Sequence, residues 1–256
     1  KVSHIPYSAV GNSSPLIQTA DDNTIFKNMC LLSNFNSFVV DYIARQKIGY
    51  LHINFYILEQ FPILSPEKYS QAFLDFIVPR ALELTYTAWD LKAFADDVWE
   101  DGGRETEDGG REMDDGKLRE AIERQWQANA AETGGGHAGA EPPEWVQYYQ
   151  PEPPEDPFPH PPFLWDEERR FRLRAELDAL YAHLYGLHRD ELAYILDTFP
   201  IVKRKDEEQY GEFRTKRAIL AYFDELADSD FDFPDKGPNV LAEDYVPLEE
   251  PEEPEE

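Results

Sequence analysis

Residues 31–64 read LLSNFNSFVVDYIARQKIGYLHINFYILEQFPIL, and this stretch decides the fold that the sequence predicts. Apolar residues in its first half recur at the three- and four-residue spacing that puts them on one face of a helix. They are Phe35, Phe38, Val39, Tyr42 and Ile43. Ser33 or Asn34 is a candidate N-cap. The helix is expected to cover residues 24–47 and to end at Gly49, because glycine tolerates the left-handed backbone that closes helices.

The second half of the stretch has a different period. Leu51, Ile53, Phe55 and Ile57 alternate with other residues, and a period of two predicts a β-strand. The proline-marked run 61–64 predicts an edge strand or the entry to one. The sequence therefore predicts an α+β, helix-rich fold, in which the long apolar helix packs on a small mixed sheet and a helical bundle follows at the C-terminal end.

Proline and glycine punctuate the remaining helical patterns. One helix is expected to end at Pro79, and a second is expected over residues 81–98. In the C-terminal part, helices are predicted over residues 166–185, 188–199 and 206–226. Residues 201–205 would form a basic link between the last two.

The net charge of −28 is unevenly distributed along the 256 residues. Residues 1–95 carry −1 and residues 169–223 carry +2, whereas residues 96–168 carry −16 and residues 224–256 carry −13. Acidic blocks rich in glycine and proline are typical of disordered segments. This predicts four regions: a near-neutral α/β region 1–100, a largely disordered acidic insert 101–160 that could hold a short helix over 117–129, a helical region 161–227 and an acidic tail 228–256.

Cysteine content and hydropathy bear on the compartment. A single cysteine, Cys30, excludes a disulfide framework. No apolar run reaches the roughly 18 residues of a membrane-spanning helix, and no signal peptide pattern is visible. A cytoplasmic protein that does not contact membranes is expected.

Four blocks of this sequence resemble one family. They are VVDYIARQKIGYLHINFYILEQFPIL at 39–64, the segment 5–16, ELTYTAWDL at 83–91 and the long run 163–226, about two thirds of the chain. They are similar to the C-terminal target-recognition region, called TaqI-like, of large adenine-specific DNA methyltransferases. Type IIG restriction–modification enzymes and phage-defence methylases belong to this family.

The resemblance implies that this chain selects a DNA site and does not catalyse alone. The full enzyme would transfer a methyl group from S-adenosylmethionine to adenine, and the cofactor would bind a methylase domain elsewhere in the polypeptide or complex. The expected partners are double-stranded DNA, that methylase domain and other defence-system subunits such as a nuclease or helicase. Two alternatives remain: a protein-docking module of a defence complex, or an acidic mimic of DNA.

Catalytic motifs are absent from the sequence. Neither the glycine-bearing turn that binds S-adenosylmethionine nor an Asn/Asp-Pro-Pro-Tyr/Phe loop is present. His160-Pro161-Pro162-Phe163 resembles that loop only superficially, because histidine replaces the group that must bond the adenine amine. Asp90 and Lys92 have the spacing of a nuclease metal site, but on a predicted helix a surface salt bridge is the better interpretation. No catalytic or metal-binding residue is predicted.

Basic and amide side chains are the candidates for DNA binding. Lysine and arginine contact phosphates, whereas arginine, glutamine and asparagine read base edges. The candidates are Arg45, Gln46, Lys47, His52, Asn54, Lys203, Arg204, Lys205, Arg214 and Arg217. Each group also has a simpler interpretation, since charged helix faces and basic helix ends are commonly only solvated.

Overall fold

The computed structural model describes residue 3 and residues 25–48, 55–101, 115–135, 140–149 and 156–242. All regular structure in these ranges is helical. The α-helices are α1 Ile25–Asn36, α2 Phe38–Lys47, α3 Phe55–Leu58, α4 Gln71–Thr85, α5 Lys92–Asp101, α6 Asp115–Glu132, α7 Glu144–Tyr149, α8 Glu167–Leu184, α9 Arg189–Asp197, α10 Pro200–Tyr210 and α11 Arg214–Ala227. Short 3-10 turns at Pro66–Lys68 and Trp89–Leu91 precede α4 and α5.

The predicted sheet is not present in the described part of the chain, so the α+β class is wrong there. The second half of the predicted strand forms the helical turn α3, Phe55–Leu58, and residues 51–54 lie outside the described residues. Residues 61–64 have no regular structure. A strand needs a neighbouring strand to bond its backbone amides. A short alternating run does not distinguish that state from a turn of helix.

The helix predicted over residues 24–47 is divided into two at Ser37. The Ser37 hydroxyl donates to the carbonyl oxygen of Asn34 at 2.8 Å and accepts from the amide of Val40 at 3.3 Å. Ser37 is therefore the N-cap of α2, whereas Ser33 and Asn34 are buried inside α1. Short polar side chains favour such breaks because they offer the backbone an alternative partner.

The break also changes which face of α2 is buried. Of the five residues on the predicted apolar face only Val39 is buried, and the other four are half-buried. Val40 and Ala44 are the further buried residues of α2. A face drawn through one continuous helix does not stay on one side once the helix is interrupted at Ser37.

Two compact units make up the chain, Lys1–Leu177 and Asp178–Glu256. In the first unit, α4 packs against α1 and α6. Ile77, Val78 and Leu82 of α4 are completely buried. The helix continues through Pro79, where the sequence predicted its end. Proline inside a helix costs about 3 kcal/mol, less than the stabilisation from burying these three side chains at about 1.5–3 kcal/mol each.

Helix α6, Asp115–Glu132, lies within the acidic insert and contributes to the core of the first unit. Leu118, Ile122 and Trp126 are all buried on its face toward α4. The limits of the insert stay a prediction, because residues 102–114, 136–139 and 150–155 are outside the described part. Residues 115–135 are ordered helix and turn rather than a solvated acidic linker.

A buried ionic cluster joins α4, α6 and α8. The guanidinium of Arg169 donates two hydrogen bonds to the carboxylate of Glu83, from Nε at 2.6 Å and from Nη2 at 2.9 Å. The side-chain amide of Asn129 donates to the same carboxylate at 2.9 Å. Glu83 is 1% exposed and Arg169 is 6% exposed. Buried charges of this kind are tolerated only when each is paired and hydrogen-bonded, so the cluster fixes how these three helices pack.

In the second unit, α9 and α10 pack against α11, and a segment of irregular backbone follows α11. The ring of His183 lies between the rings of Phe223 and Phe233, with centroid distances of 3.8 Å and 4.4 Å. His188 and Glu191 bond the backbone of Gly237 and Val240. The segment that follows α11, counted in the sequence as an acidic tail, is therefore attached to α9 and α11 at least as far as Val240.

Glycines and a capping carboxylate mark several helix ends in the second unit. Gly186 has a φ of +69° and follows the end of α8, and a carboxylate oxygen of Glu191 accepts from the amide of His188 before α9. Gly211, with a φ of +74°, divides the predicted last helix into α10 and α11. No helix in the described part of the chain is long and apolar enough to cross a membrane.

Candidate nucleic-acid interface

Helix α10, Pro200–Tyr210, is the most exposed carrier of predicted site residues. None of its residues is buried. Lys203, Arg204 and Lys205 are all exposed on it. The prediction that they form a link between helices is wrong, since they belong to the first half of a helix that begins at Pro200. Proline is favoured at a first helical position because its missing amide would have no partner there.

The charges of α10 run against its helix dipole. Basic residues occupy positions 203–205 and acidic residues occupy positions 206–208, nearer the C-terminus. The dipole acts within the first and last turns of a helix, so it concerns Lys203 in the first turn and Glu207 and Glu208 in the last, each unfavourable by about 0.3–1 kcal/mol. Since α10 buries no residue, core packing does not explain this order. The three cations are exposed and can meet an external anion.

The lysines of α10 are available to a ligand. Lys203 and Lys205 form no ion pair with any residue that the structure describes. Arg204 approaches Glu208 at 3.8 Å, and both side chains are 69% exposed. An exposed pair at that separation contributes little and is easily exchanged for another partner. The three side chains can therefore turn toward phosphate groups at little cost.

The basic residues that open α11 are more engaged. The guanidinium of Arg214 lies over the ring of Tyr210, 4.6 Å from its centroid. Arg217 binds Glu212 with an Nη2 to Oε1 distance of 2.9 Å, and Lys216 binds Asp197 at 2.7 Å. Of the two candidates here, Arg217 is paired with Glu212, and Arg214 lies beside the ring of Tyr210.

The candidates in the first unit are at the end of α2. Arg45 donates to Asp41 at 3.1 Å, so its charge is partly neutralised. Gln46 and Lys47 are exposed, and neither side chain bonds another described residue. The turn that follows, with the candidates His52 and Asn54, lies outside the described residues, so their proximity to Gln46 stays a prediction.

The row of arginines at the start of α8 forms hydrogen bonds and ion pairs with other residues of the first unit. Arg170 donates to the backbone oxygens of Glu83 and Leu84 at 3.4 Å and 3.0 Å, which satisfies carbonyls at the end of α4. Arg172 pairs with Glu132. Together with the buried Arg169, these contacts remove most of this row from the surface available to DNA.

The first unit also contains an open groove of about 560 Å³ that the sequence did not predict. Its walls are residues 87–90 and 161–164, with Ala140 and Trp145 at the edge. Asp90 lies in this groove and has no hydrogen bond or ion pair with a described residue. Lys92 is turned away and binds Asp96 and the backbone oxygen of Phe158. The salt bridge expected between Asp90 and Lys92 is therefore not formed.

The motif His160-Pro161-Pro162-Phe163 has a structural role. The ring of His160 stacks on that of Trp126, with centroids 4.0 Å apart, and its Nε2 is 2.5 Å from a carboxylate oxygen of Glu123. The backbone oxygen of Pro161 accepts from the indole of Trp126 at 3.0 Å. These contacts hold the motif against α6, so it is not an open loop that could receive a flipped base.

No group of three or more histidine, cysteine, aspartate or glutamate side chains in the described ranges is arranged to hold a metal ion. The comparisons with known proteins add no relative. No protein-family model, no curated protein and no solved structure matches this chain. The resemblance to methyltransferase target-recognition regions therefore stays a prediction.

Proposed function

We propose that this chain is the DNA target-recognition portion of an adenine-specific, S-adenosylmethionine-dependent DNA methyltransferase or restriction–modification enzyme. The observation that carries the proposal is α10, a helix with no buried residue on which three adjacent cations are exposed, the first of them at the positive end of the helix dipole. The resemblance of residues 39–64, 83–91 and 163–226 supports the same function. S-adenosylmethionine and the methyl transfer would belong to a separate methylase domain.

In this proposal the two groups of candidates have different tasks. Lys203, Arg204 and Lys205 bind phosphates, which supplies affinity without regard to sequence. Gln46 and Lys47, exposed at the end of α2, offer an amide and an ammonium to base edges. Base reading needs fixed geometry, and the short, capped helix α2 supplies it for these two side chains.

The overall charge of −28 does not preclude a local interface for DNA. At physiological ionic strength the screening length is about 8 Å, so a phosphate at the surface responds mainly to the nearest charges. The described neighbours of Lys203 and Lys205 on α10 include the acidic run 206–208. Binding is therefore expected to be weak and strongly salt-dependent, and a methylase domain would add the remaining affinity.

The test is a binding titration of the chain against a random pool of duplex DNA at several salt concentrations. Lys203→Ala/Lys205→Ala is expected to lower the slope of log Kd against log salt by about 2, because about 0.9 counterions are released per phosphate neutralised. The charge-matched control is Lys68→Ala/Arg124→Ala, which removes two exposed cations of the first unit. Arg45→Ala/Lys47→Ala tests the end of α2, and sequencing of the bound pool gives the site.

The outcomes of this titration distinguish target recognition from non-specific attraction and from a protein-docking function. Salt-dependent binding that the α10 variant loses and the control keeps supports target recognition. Equal loss of binding in Lys203→Ala/Lys205→Ala and in the control Lys68→Ala/Arg124→Ala would indicate only non-specific attraction of DNA to positive charge. No binding at low salt would contradict the proposal and favour the protein-docking module.

A further inference from the structure

We infer that the groove between residues 87–90 and 161–164 is a docking site for a lysine or arginine side chain on a basic segment of a protein partner. This inference does not depend on the DNA-binding proposal. The groove and α10 belong to different units, and the groove carries the opposite charge from a phosphate-binding surface.

Aromatic rings supply the walls of the groove. Trp89 and Trp145 line it at the rim, and Phe163, 2% exposed, lies at its base. Trp145 is 46% exposed, so its side chain is accessible to a ligand. No cation lies over either indole among the described residues. The negative π-face of an indole attracts ammonium and guanidinium groups, so the rim is suited to a cation with an apolar stem.

A single carboxylate with no ion-pair partner in the described part of the chain makes the groove negatively charged. Asp90 is the one ionisable side chain that lines the groove among the described residues. Its potential partner Lys92 is committed to Asp96 inside the core. Glu141 and Glu144, next in sequence to the rim residues Ala140 and Trp145, are also exposed. A phosphate would be repelled here, whereas a cation would meet both a carboxylate and aromatic faces.

The chain contains a comparable combination of side chains in which the cation is present. The guanidinium of Arg170 lies over the ring of Trp165, 3.7 Å from its centroid. The indole of that tryptophan donates to a carboxylate oxygen of Glu167 at 2.7 Å. A tryptophan, a carboxylate and an arginine thus combine on the surface of the first unit. The groove has the tryptophan and the carboxylate and lacks the cation.

The shape of the groove favours a side chain over a free small molecule. The opening is wide, so a small cation would keep much of its hydration and gain only the few-fold affinity of one exposed cation–π contact. A side chain carried by a peptide can add ion pairs to Glu141 and Glu144 outside the groove. We therefore assign the site to a basic segment, which the acidic surface of this protein would also attract.

The experiment uses the full chain labelled with 5-fluorotryptophan, which gives one fluorine signal for each of its five tryptophans. The probe is a blocked glycine-rich peptide with two arginines, and the matched peptide carries citrulline, which keeps the shape and loses the charge. We expect the arginine peptide to shift the signals of Trp89 and Trp145. The signal of Trp165, whose ring is already covered by Arg170, should not move.

Two variants and a control locate the binding. Asp90→Asn and Trp145→Ala should each weaken peptide binding by about two- to fivefold, the range of one exposed ion pair or cation–π contact. Glu59→Gln removes one exposed negative charge elsewhere in the first unit and should leave binding unchanged. Asp90 and Trp145 are exposed, and an unchanged far-UV circular dichroism spectrum confirms that each variant folds.

Several results would overturn the inference. Equal binding of the citrulline peptide would show that charge is not recognised. Tetramethylammonium binding as tightly as the arginine peptide would assign the groove to a small free cation. Shifts of Trp89 and Trp145 caused by oligothymidylate instead would assign it to stacked bases, and no shift with any probe would show that the groove is not a binding site.

Discussion

At the scale of single residues, the first unit contains a buried ion pair between Glu83 and Arg169. Both are buried, and their two hydrogen bonds of 2.6 Å and 2.9 Å leave neither charge without a partner. Removing one member leaves the other charged and buried. The unpaired group then costs more than the pair contributed.

We therefore predict that Arg169→Met lowers the free energy of unfolding of the first unit by about 3–5 kcal/mol. Urea denaturation followed by tryptophan fluorescence measures this, since all five tryptophans precede residue 178. The control is Arg172→Met, because the Arg172 and Glu132 side chains are each 46% exposed and their pair should contribute at most about 1 kcal/mol. Equal losses in both variants would show that burial of the pair is not what matters.

His183 is the residue at which the second unit should respond to pH. Its Nε2 lies 2.8 Å from the backbone oxygen of Phe223, and a carbonyl can only accept, so Nε2 carries a proton. Burial lowers the pKa of His183, the bond to Phe223 opposes that effect, and Lys236 and Asp224 act in opposite directions. The folded state therefore holds the neutral ring.

Since the unfolded chain takes up this proton more readily, stability should be complete above the ordinary histidine pKa of about 6.5. It should fall as the pH drops from there through the lowered pKa of the folded state. The measurement is thermal unfolding of the second unit by circular dichroism from pH 7.5 to 5, with the pKa of His183 followed by NMR. His183→Gln should remove that pH dependence. An NMR pKa above 6.5 would contradict the prediction.

At the scale of elements, the order of charges on α10 lowers the stability of the helix, while its cations are exposed at the surface. Its basic residues precede its acidic residues, opposite to the order that the dipole favours. The two properties can be separated by an exchange of charges that keeps the composition of the helix.

We predict that Lys203→Glu/Glu207→Lys stabilises the second unit by about 0.3–1 kcal/mol per site and weakens DNA binding. The net charge is unchanged, so a loss of binding reports position rather than total charge. Thermal unfolding and the duplex titration are measured on the same preparation. Higher stability with unchanged binding would show that the order of charges on α10 serves another purpose.

At the scale of the whole molecule, the acidic insert combines two kinds of sequence. Residues 96–168 carry −16, yet α6 within them buries Leu118, Ile122 and Trp126 against the first unit. Composition averaged over the segment hides the helical spacing of those three residues. The insert is therefore more than a disordered acidic segment, because α6 forms part of the core of the first unit.

We predict that deletion of residues 101–160 unfolds the first unit. Each large buried side chain of α6 contributes about 1.5–3 kcal/mol, and a whole domain is stable by only about 5–15 kcal/mol. Tryptophan fluorescence emission should move to the wavelength of solvent-exposed indole. The far-UV circular dichroism signal from the helices of the second unit should remain. Unchanged emission with a cooperative unfolding transition would show that α6 is dispensable.

Local patterns of the sequence were sufficient for much of the C-terminal half. The spacing of apolar residues predicted a helix over 166–185, and α8 spans Glu167–Leu184. Gly186 and the cap formed by Glu191 mark the boundary between α8 and α9. Such signals are intrinsic to a few neighbouring residues, because helix spacing, caps and left-handed glycines act over one or two turns.

Only the tertiary structure decided the features that depend on distant residues. Residues 55–58 alternate like a strand but are helical, since no partner strand exists among the described residues. Arg169 is buried because Glu83, 86 positions earlier, meets it across a helix interface. Trp89 and Trp145 share one groove although no sequence period relates them. The sequence by itself determined where α8 and α9 form, but burial and pairing depend on neighbours brought together only by folding.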